Sequence, residues 1–297
     1  MKHKPFSPSE LILNEDGSIY HLHLKPGDIA STIITVGDPD RVSNVSKYFE
    51  TIEVSVHKRE FKTHTGTYNG KRLTVISTGI GTDNIDIVMN ELDALVNIDF
   101  ETKTVKESLT QLNLIRIGTS GGIQPDIELD SFLVSETAIG LDSLLHFYGE
   151  TDFLDTPFSE AFIAHMNWSL LKSSPYVVAA DETLLRLFSE PTFRSGITAT
   201  NVGFYGPQGR VLRYKLENAE LNDKLQSFQY NDKKITNLEM ETSGIYGMAK
   251  LLGHRAISLN AILANRANGN FSSDPQQTID TLIQKTLDPN ILTCLGT

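Results

Sequence analysis

Three short apolar runs, each halted at a glycine, constrain this chain more than any other feature of it. Ser31 to Val36 stops at Gly37-Asp38-Pro39-Asp40-Arg41, and Leu73 to Ser77 stops at Thr78-Gly79-Ile80-Gly81. Leu114 to Ile117 stops at Gly118-Thr119-Ser120-Gly121-Gly122. Runs of this length and β-branched content read as buried strands, and the glycines as turns beyond their carboxyl ends. Helical periodicity lies between them: Ile85, Val88, Met89, Leu92 and Leu95 share one face of the segment from Asn84 to Val96. Strands alternating with helices imply an α/β fold, a single domain with a central mixed sheet flanked by helices. Ligands in such sheets gather where strands end, so three glycine-marked ends predict one shared pocket.

The remaining elements follow from local signals. Ser7-Pro8-Ser9-Glu10 has the form of a capping box and predicts a short helix; Ser18 to Leu24 alternates like a strand. Residues 1–19 read as an N-terminal extension and 20–297 as the domain. Asp40 is placed to cap a helix running to Tyr48, and Tyr68-Asn69-Gly70 marks a hairpin turn. Residues 99–112 read as a polar surface connection. Further strands are expected at 132–134, 176–180, 197–202, 235–238 and 256–263, with helices at 181–188, 218–228, 240–252 and 278–287.

Arg116 is the lone charge inside the third apolar run. An arginine followed by Gly-Thr-Ser-Gly-Gly suits an anion: a guanidinium, backbone N–H groups and hydroxyls. The plain alternative is a buried strand and an ordinary turn, with Arg116 facing solvent. Arg41 beyond the first run, Thr119, and Arg59 in His57-Lys58-Arg59-Glu60-Phe61 extend the anion reading toward inorganic phosphate. Two glutamates flank a methionine in Leu238-Glu239-Met240-Glu241, where one carboxylate can accept bonds from vicinal sugar hydroxyls or simply favour a helix start. In Phe204-Tyr205-Gly206-Pro207-Gln208-Gly209-Arg210, an amide and an arginine behind two aromatics can read a flat polar ring, or form a plain Gly-Pro loop.

Several classes are disfavoured. A net charge of −11 and a pI near 5.2 argue against nucleic acid or an anionic membrane as partner. No apolar run is long enough for a membrane span, the N-terminus lacks a signal-peptide core, and the single cysteine, Cys294, fits a reducing cytoplasm. No Walker or G-x-G-x-x-G pattern follows a strand, and the histidines, His21 and His23 among them, have no ligand partners for a metal. Gly118-Thr119-Ser120-Gly121-Gly122 matches the letters of a Gly-x-Ser-x-Gly elbow, but the sequence after it is poor helix, so a serine hydrolase stays a minor alternative.

Taken in order, Val36-Gly37-Asp38-Pro39-Asp40-Arg41, Lys58-Arg59-Glu60-Phe61, Ser77-Thr78-Gly79-Ile80-Gly81, Arg116-Ile117-Gly118-Thr119-Ser120-Gly121 and Leu238-Glu239-Met240-Glu241 resemble the motif set of the nucleoside phosphorylase-I family. The likeness runs from about residue 20 to residue 266. Within the family it is to the uridine-cleaving members, because Gln208 and Arg210 match their uracil-reading pair. The resemblance implies a distorted, barrel-like sheet and cleavage of uridine by phosphate. It implies that Gly37, Arg41, Arg116 and Thr119 bind phosphate, joined by Arg59 from a neighbouring subunit. His21, also from the neighbour, would reach the ribose with Met240 and Glu241. Ser120, Gly121, Phe204, Gln208, Arg210 and Arg266 would form the base site, with Arg210, Glu241 and Arg116 the catalytic residues. It implies no cofactor, and a homo-oligomer, either a dimer or a hexamer of dimers, with shared sites. Some relatives hold a monovalent cation beside the equivalent of Glu60; Asp83-Asn84 here replace the serine that helps them, which puts that cation in doubt. Purine-cleaving relatives carry an Asp where Ala264 and Asn265 stand. A purine or broad-specificity enzyme is the runner-up, and a non-catalytic nucleoside-binding protein a more distant alternative.

Overall fold

All five residues of β1 (Thr32–Val36) are buried, as a β-branched run flanked by two parallel neighbours requires. The computed structural model describes residues 4–188 and 191–295. After β1 come α1 (Pro39–Ser46), β2 (Thr51–Lys58), β3 (Phe61–Tyr68), β4 (Lys71–Ser77) and α2 (Thr82–Asn97). A small hairpin, β5 (Ile98–Asp99) and β6 (Thr104–Val105), leads to β7 (Asn113–Gly122) and β8 (Phe132–Gly140). Then follow α3 (Thr156–Met166), β9 (Tyr176–Ala179), α4 (Glu182–Leu187), β10 (Arg194–Thr200), α5 (Leu221–Ser227), β11 (Gln229–Tyr230) and β12 (Lys233–Glu239). The chain closes with α6 (Thr242–Leu251), β13 (Arg255–Asn265), β14 (Asn270–Phe271), α7 (Pro275–Thr286) and α8 (Pro289–Cys294).

The sheet is mixed and partly closed. Its order is β11-β12-β10-β8-β13-β7-β1-β4-β3-β2, and β12 also pairs antiparallel with β7 at Asn237↔Gly122 and Leu238↔Gly121. Five strands, β7, β13, β8, β10 and β12, therefore form a ring, the barrel-like arrangement expected of the fold. The largest buried cluster packs β1, β4, β7 and β13 against α2, α6 and α7; Ile85, Val88, Met89, Leu92 and Leu95 of α2 all enter it. Among the described residues no helix is long and apolar enough to cross a membrane.

Several expectations are corrected. The stretch from Gly118 to Gly122 is strand rather than turn, because β13 pairs with it from Asn260↔Gly118 onward and β12 takes its end. Residues 18–24 form turns with one bridge, Leu13↔Ile19, and His23 has φ 57°. Among the described residues no strand pairs with them; instead the Glu91 carboxylate accepts from the backbone amides of His21 and Leu22. The alternation marked burial all the same: Ile19, Leu22 and Leu24 are core residues. The capping box at Ser7 makes its reciprocal bond from Ser7 N to Glu10 Oε2, but closes only a turn. Asp38 rather than Asp40 caps α1, accepting from Asp40 N with Pro39 in the first turn. Residues 99–112 hold the β5–β6 hairpin, α3 and α8 went unread, and α6 starts at Thr242 with Glu241 at its cap position.

Candidate active site

A cavity of about 700 Å³ opens beyond the ends of β1, β4 and β12, beside the far half of β7. Gly37, Arg41, Arg116 and Thr119 line one end of it, Met240 and Glu241 its middle wall, and Ser120, Gly121, Phe204, Gln208 and Arg210 the other end. Eleven residues expected in a single site thus meet in one chamber.

At the first end, Arg41 reaches from α1 to donate from Nη1 to the carbonyl of Ile117 at 3.3 Å. Burial, and next the charge of Arg116, lower its pKa. A guanidinium whose charge is disfavoured by burial and by a neighbouring guanidinium gains from an anion placed beside it. Arg116 itself is 5% exposed and heavily committed. Its Nη2 donates to Glu241 Oε2 at 2.5 Å and lies 3.2 Å from Glu239 Oε2, while Nη1 donates to Asn260 Oδ1 at 3.2 Å. Burial opposes its charge, and Glu239 and Glu241 together outweigh that burial and raise its pKa.

Gly118 makes this arrangement possible. A Cβ there would lie 1.7 Å from Arg116 Nη1 and 3.0 Å from Asn260 Oδ1. Residues i and i+2 share a strand face, so the guanidinium of Arg116 folds across position 118 and needs it bare.

The two glutamates divide their work. Glu239 accepts from Thr200 Oγ1 and from the backbone amides of Glu241 and Thr242, and so ties the start of α6 to β10. Glu241 accepts from Gly81 N at 2.8 Å and from Arg116, and lines the cavity. Burial raises the pKa of Glu241, Arg116 opposes that, and Glu239 adds to it. It is a fixed acceptor beside the anion end, suited to paired hydroxyls.

At the far end a one-turn segment, Gly206–Gln208, presents the amide of Gln208, which is buried. Arg210 Nη1 donates to Gln208 Oε1 at 2.7 Å and to the Phe204 carbonyl at 2.6 Å, and its guanidinium lies 3.7 Å from the centroid of the Phe204 ring. With its oxygen occupied, Gln208 leaves its NH₂ group for a ligand acceptor. Burial, then Arg266, lower the Arg210 pKa to about 10. Arg266 does not line the cavity. It stands behind Gly121, donates from Nη2 to the Gly209 carbonyl at 3.4 Å, and keeps Nη1 buried without a partner among the described residues. Ala264 faces the cavity, whereas the Asn265 amide turns away to the carbonyls of Gln124 and Ile127. Among the described residues, the acidic ones that line the cavity are Asp38, Glu60, Glu239 and Glu241, none of them from the 204–210 or 263–271 segments.

His21 and Arg59 lie outside the cavity of their own chain. His21 Nδ1 bonds Glu91 Oε1 at 2.6 Å in a separate cleft. Arg59 sits at the β2–β3 turn with φ 55° and no ion-pair partner among the described residues. Tyr20 joins them: its ring meets His21 edge-on at 4.7 Å, and Arg59 lies 5.9 Å from its centroid. Glu60, in the β2–β3 turn beside Arg59, lines the cavity, and among the described residues no three His, Cys, Asp or Glu side chains converge as for a metal ion. The strand course of Ser120 removes the nucleophile-elbow reading, since no helix follows it and its Oγ accepts from Asn237 Nδ2 rather than facing a histidine.

Sequence reasoning missed Asn260 and Phe271, the second an exposed aromatic at the cavity mouth. Asn260 did leave a signal: Ser258 and Asn260 are alternate polar positions inside an otherwise apolar strand.

The sequence and the fold have known counterparts. The family model described as Phosphorylase superfamily matches residues 31–287. A uridine phosphorylase of Thermococcus kodakarensis is 31% identical over 273 residues, covering 90% of this chain and 84% of that protein. A DeoD-type purine nucleoside phosphorylase of Listeria monocytogenes is 27% identical, covering 91% and 98%. A solved Trypanosoma brucei nucleoside phosphorylase, described as showing uridine phosphorylase activity, superposes with a TM-score of 0.82 at 28% identity, covering 94% of this chain and 99% of that one. A family match across most of the sequence and a shared fold lead to one conclusion: this chain belongs to the phosphorylase superfamily.

Proposed function

We propose that this protein cleaves uridine with inorganic phosphate, giving uracil and ribose 1-phosphate. The observation that carries the choice of base is the Gln208–Arg210 pair, backed by the unpartnered Nη1 of Arg266. These groups present hydrogen-bond donors and positive charge, which suit a ring with two carbonyl oxygens. Phosphate, oriented by Gly37, Arg41, Arg116 and Thr119, attacks the anomeric carbon; the glycosidic C–N bond breaks and its electron pair leaves with the base. The sugar passes through an oxocarbenium-like state, as in other glycosidic cleavages. Glu241 and Met240 hold the ribose, and much of the rate comes from positioning. Negative charge grows on the uracil oxygens, where Arg210 stabilises it more in the transition state than in the ground state.

A purine substrate is the second reading, favoured by the purine nucleoside phosphorylase relatives. The base end speaks against it, because Ala264 offers no acid to a purine leaving group. Arg59 and His21 support a homo-oligomer in which each chain completes its neighbour's site. Phosphate-dependent release of base from uridine, thymidine and inosine tests the proposal. Release from uridine only with phosphate is expected; release of hypoxanthine in preference to uracil overturns the base assignment.

A further inference from the structure

Each of the five strands of the closed ring contributes to one buried chain of hydrogen bonds. Arg116 Nη1 on β7 donates to Asn260 Oδ1 on β13 at 3.2 Å, and Asn260 Nδ2 donates to Ser135 Oγ on β8 at 3.1 Å. Ser135 Oγ lies 2.5 Å from Thr198 Oγ1 on β10, Thr198 donates to Asn237 Oδ1 on β12 at 2.9 Å, and Asn237 Nδ2 reaches Ser120 Oγ at 3.0 Å, back on β7. The four links between Arg116 and Ser120 are at most 1% exposed.

Proton counting fixes the direction of every bond. Arginine has only donors, so Asn260 turns its oxygen to Arg116 and its NH₂ to Ser135. Ser135 must place its single hydrogen, and Thr198 Oγ1 is the acceptor within reach; an unpaired buried hydroxyl is costly. Thr198 then gives its own hydrogen to Asn237 Oδ1, which also receives Thr236 Oγ1 at 2.9 Å. The Asn237 amide is left to donate to Ser120. All five bonds point from the buried cation toward the cavity, and each polarises the next. Ser120 lines the cavity, and its own hydrogen has no acceptor among the described residues.

We infer that Asn237 is a positioning residue that fixes the Ser120 hydroxyl as a hydrogen-bond donor to an acceptor oxygen of the nucleoside. A substrate group that offers only a donor toward Ser120, such as an amino group, is disfavoured there. The inference rests on the phosphorolysis proposed above. It also joins the two ends of the cavity, because the chain starts at the arginine that Glu241 holds.

Asn237→Asp tests it with almost no change of shape. An ionised carboxylate accepts from both Thr198 and Ser120, so the Ser120 hydroxyl turns from the substrate to the new acceptor. The expected result is a fall of about tenfold in kcat/KM for uridine, the scale of one neutral hydrogen bond, seen in the KM for uridine with the KM for phosphate unchanged. Lowering the pH protonates the buried carboxyl, whose pKa burial raises, and returns a donor to Ser120; activity relative to wild type then recovers. Ser120→Ala loses the same tenfold, and the double variant loses no more than Ser120→Ala alone. Independent, multiplying losses overturn the inference. So does wild-type kcat/KM in Ser120→Ala, a small change at the cavity wall that keeps the test decisive if Asn237→Asp does not fold. The wild-type control reads the proposed function separately: if uridine is not cleaved, that reading fails, and the same cycle is run on whichever nucleoside the wild type cleaves.

Discussion

Gly118→Ala is the sharpest test of the anion end. The added methyl carbon would lie 1.7 Å from Arg116 Nη1 and 2.6 Å from its Cζ, far inside contact distance. The backbone at Gly118 is not in the left-handed region, so conformation alone would admit alanine. Relief must come from Arg116, yet its side chain is buried and tied to Glu239, Glu241 and Asn260. Pushing it aside leaves two buried carboxylates without their cation. Removing one partner of a buried ion pair costs about 3–5 kcal/mol. For a chain of this size that lowers Tm by roughly 5–8 °C. The guanidinium would also leave its place in the cavity, and a displacement of about 1 Å costs on the order of 10²-fold in rate. Chemical denaturation and phosphorolysis kinetics read both effects. Gly70→Ala is the control: Gly70 has φ 69° and nothing within 4 Å of an added Cβ, so it loses about 1 kcal/mol from backbone strain and no activity. Wild-type stability and turnover in Gly118→Ala would refute the packing argument.

Other outcomes follow from the same geometry. Arg210→Ala lowers kcat/KM for uridine by about 10²-fold or more, since one charge-stabilising donor is lost; near-normal turnover sinks the base-site assignment. Arg59→Ala and Glu241→Gln, each inactive alone, regain activity when co-expressed, because a mixed dimer holds one intact site; random pairing gives about one quarter of wild-type sites, and no recovery means that Arg59 does not act across an interface. His64, whose Nδ1 lies 2.8 Å from Ser46 Oγ, has a pKa lowered by burial and then by Lys62. Its folded pKa lies below the unfolded one, so the unfolded chain binds the proton first and stability falls as pH drops below about 6.5. His64→Asn should flatten that part of the pH–stability curve, measured as urea midpoints at pH 5 and 7.5.

The fold was legible in this sequence wherever one physical signal dominated. The periodicity of Asn84 to Val96 gave α2 with its buried face intact, and the β-branched runs gave β1, β4 and β7. Glycine misled where it served space rather than turning. Gly118 looks like the end of a strand, but the strand runs on, and the missing side chain makes room for Arg116. Ser18 to Leu24 misled in the opposite way: its alternation recorded which side chains are buried, while a carboxylate from a distant helix took the backbone amides a strand would pair. The roles of Glu239 and Glu241 were not separable by pattern, because both are buried and both line the cavity, and only their partners distinguish the clamp on α6 from the acceptor that holds Gly81.

A chain with a net charge of −11 must gather local cations to hold an anion, and the phosphate site proposed above asks for more charge than one copy supplies. At the anion end Arg41 and Arg116 face the cavity, but Arg116 already compensates Glu239 and Glu241. Against the acidic residues of the lining, Asp38, Glu60, Glu239 and Glu241, these two cations leave no surplus for a doubly charged phosphate. The missing charge must come from a cation without a commitment of its own. Arg59 has none among the described residues, and it is held in a left-handed backbone conformation that a non-glycine residue adopts at a cost of about 1–3 kcal/mol. A chain that kept only its own stability would place glycine or asparagine at such a turn. The strain is explained if the side chain works elsewhere, and Tyr20 and His21 beside it line a different cleft from the candidate site. On the function proposed above, a second copy that brought Arg59 to the first copy's anion end would supply the charge, and full activity in a monomer would refute that reading.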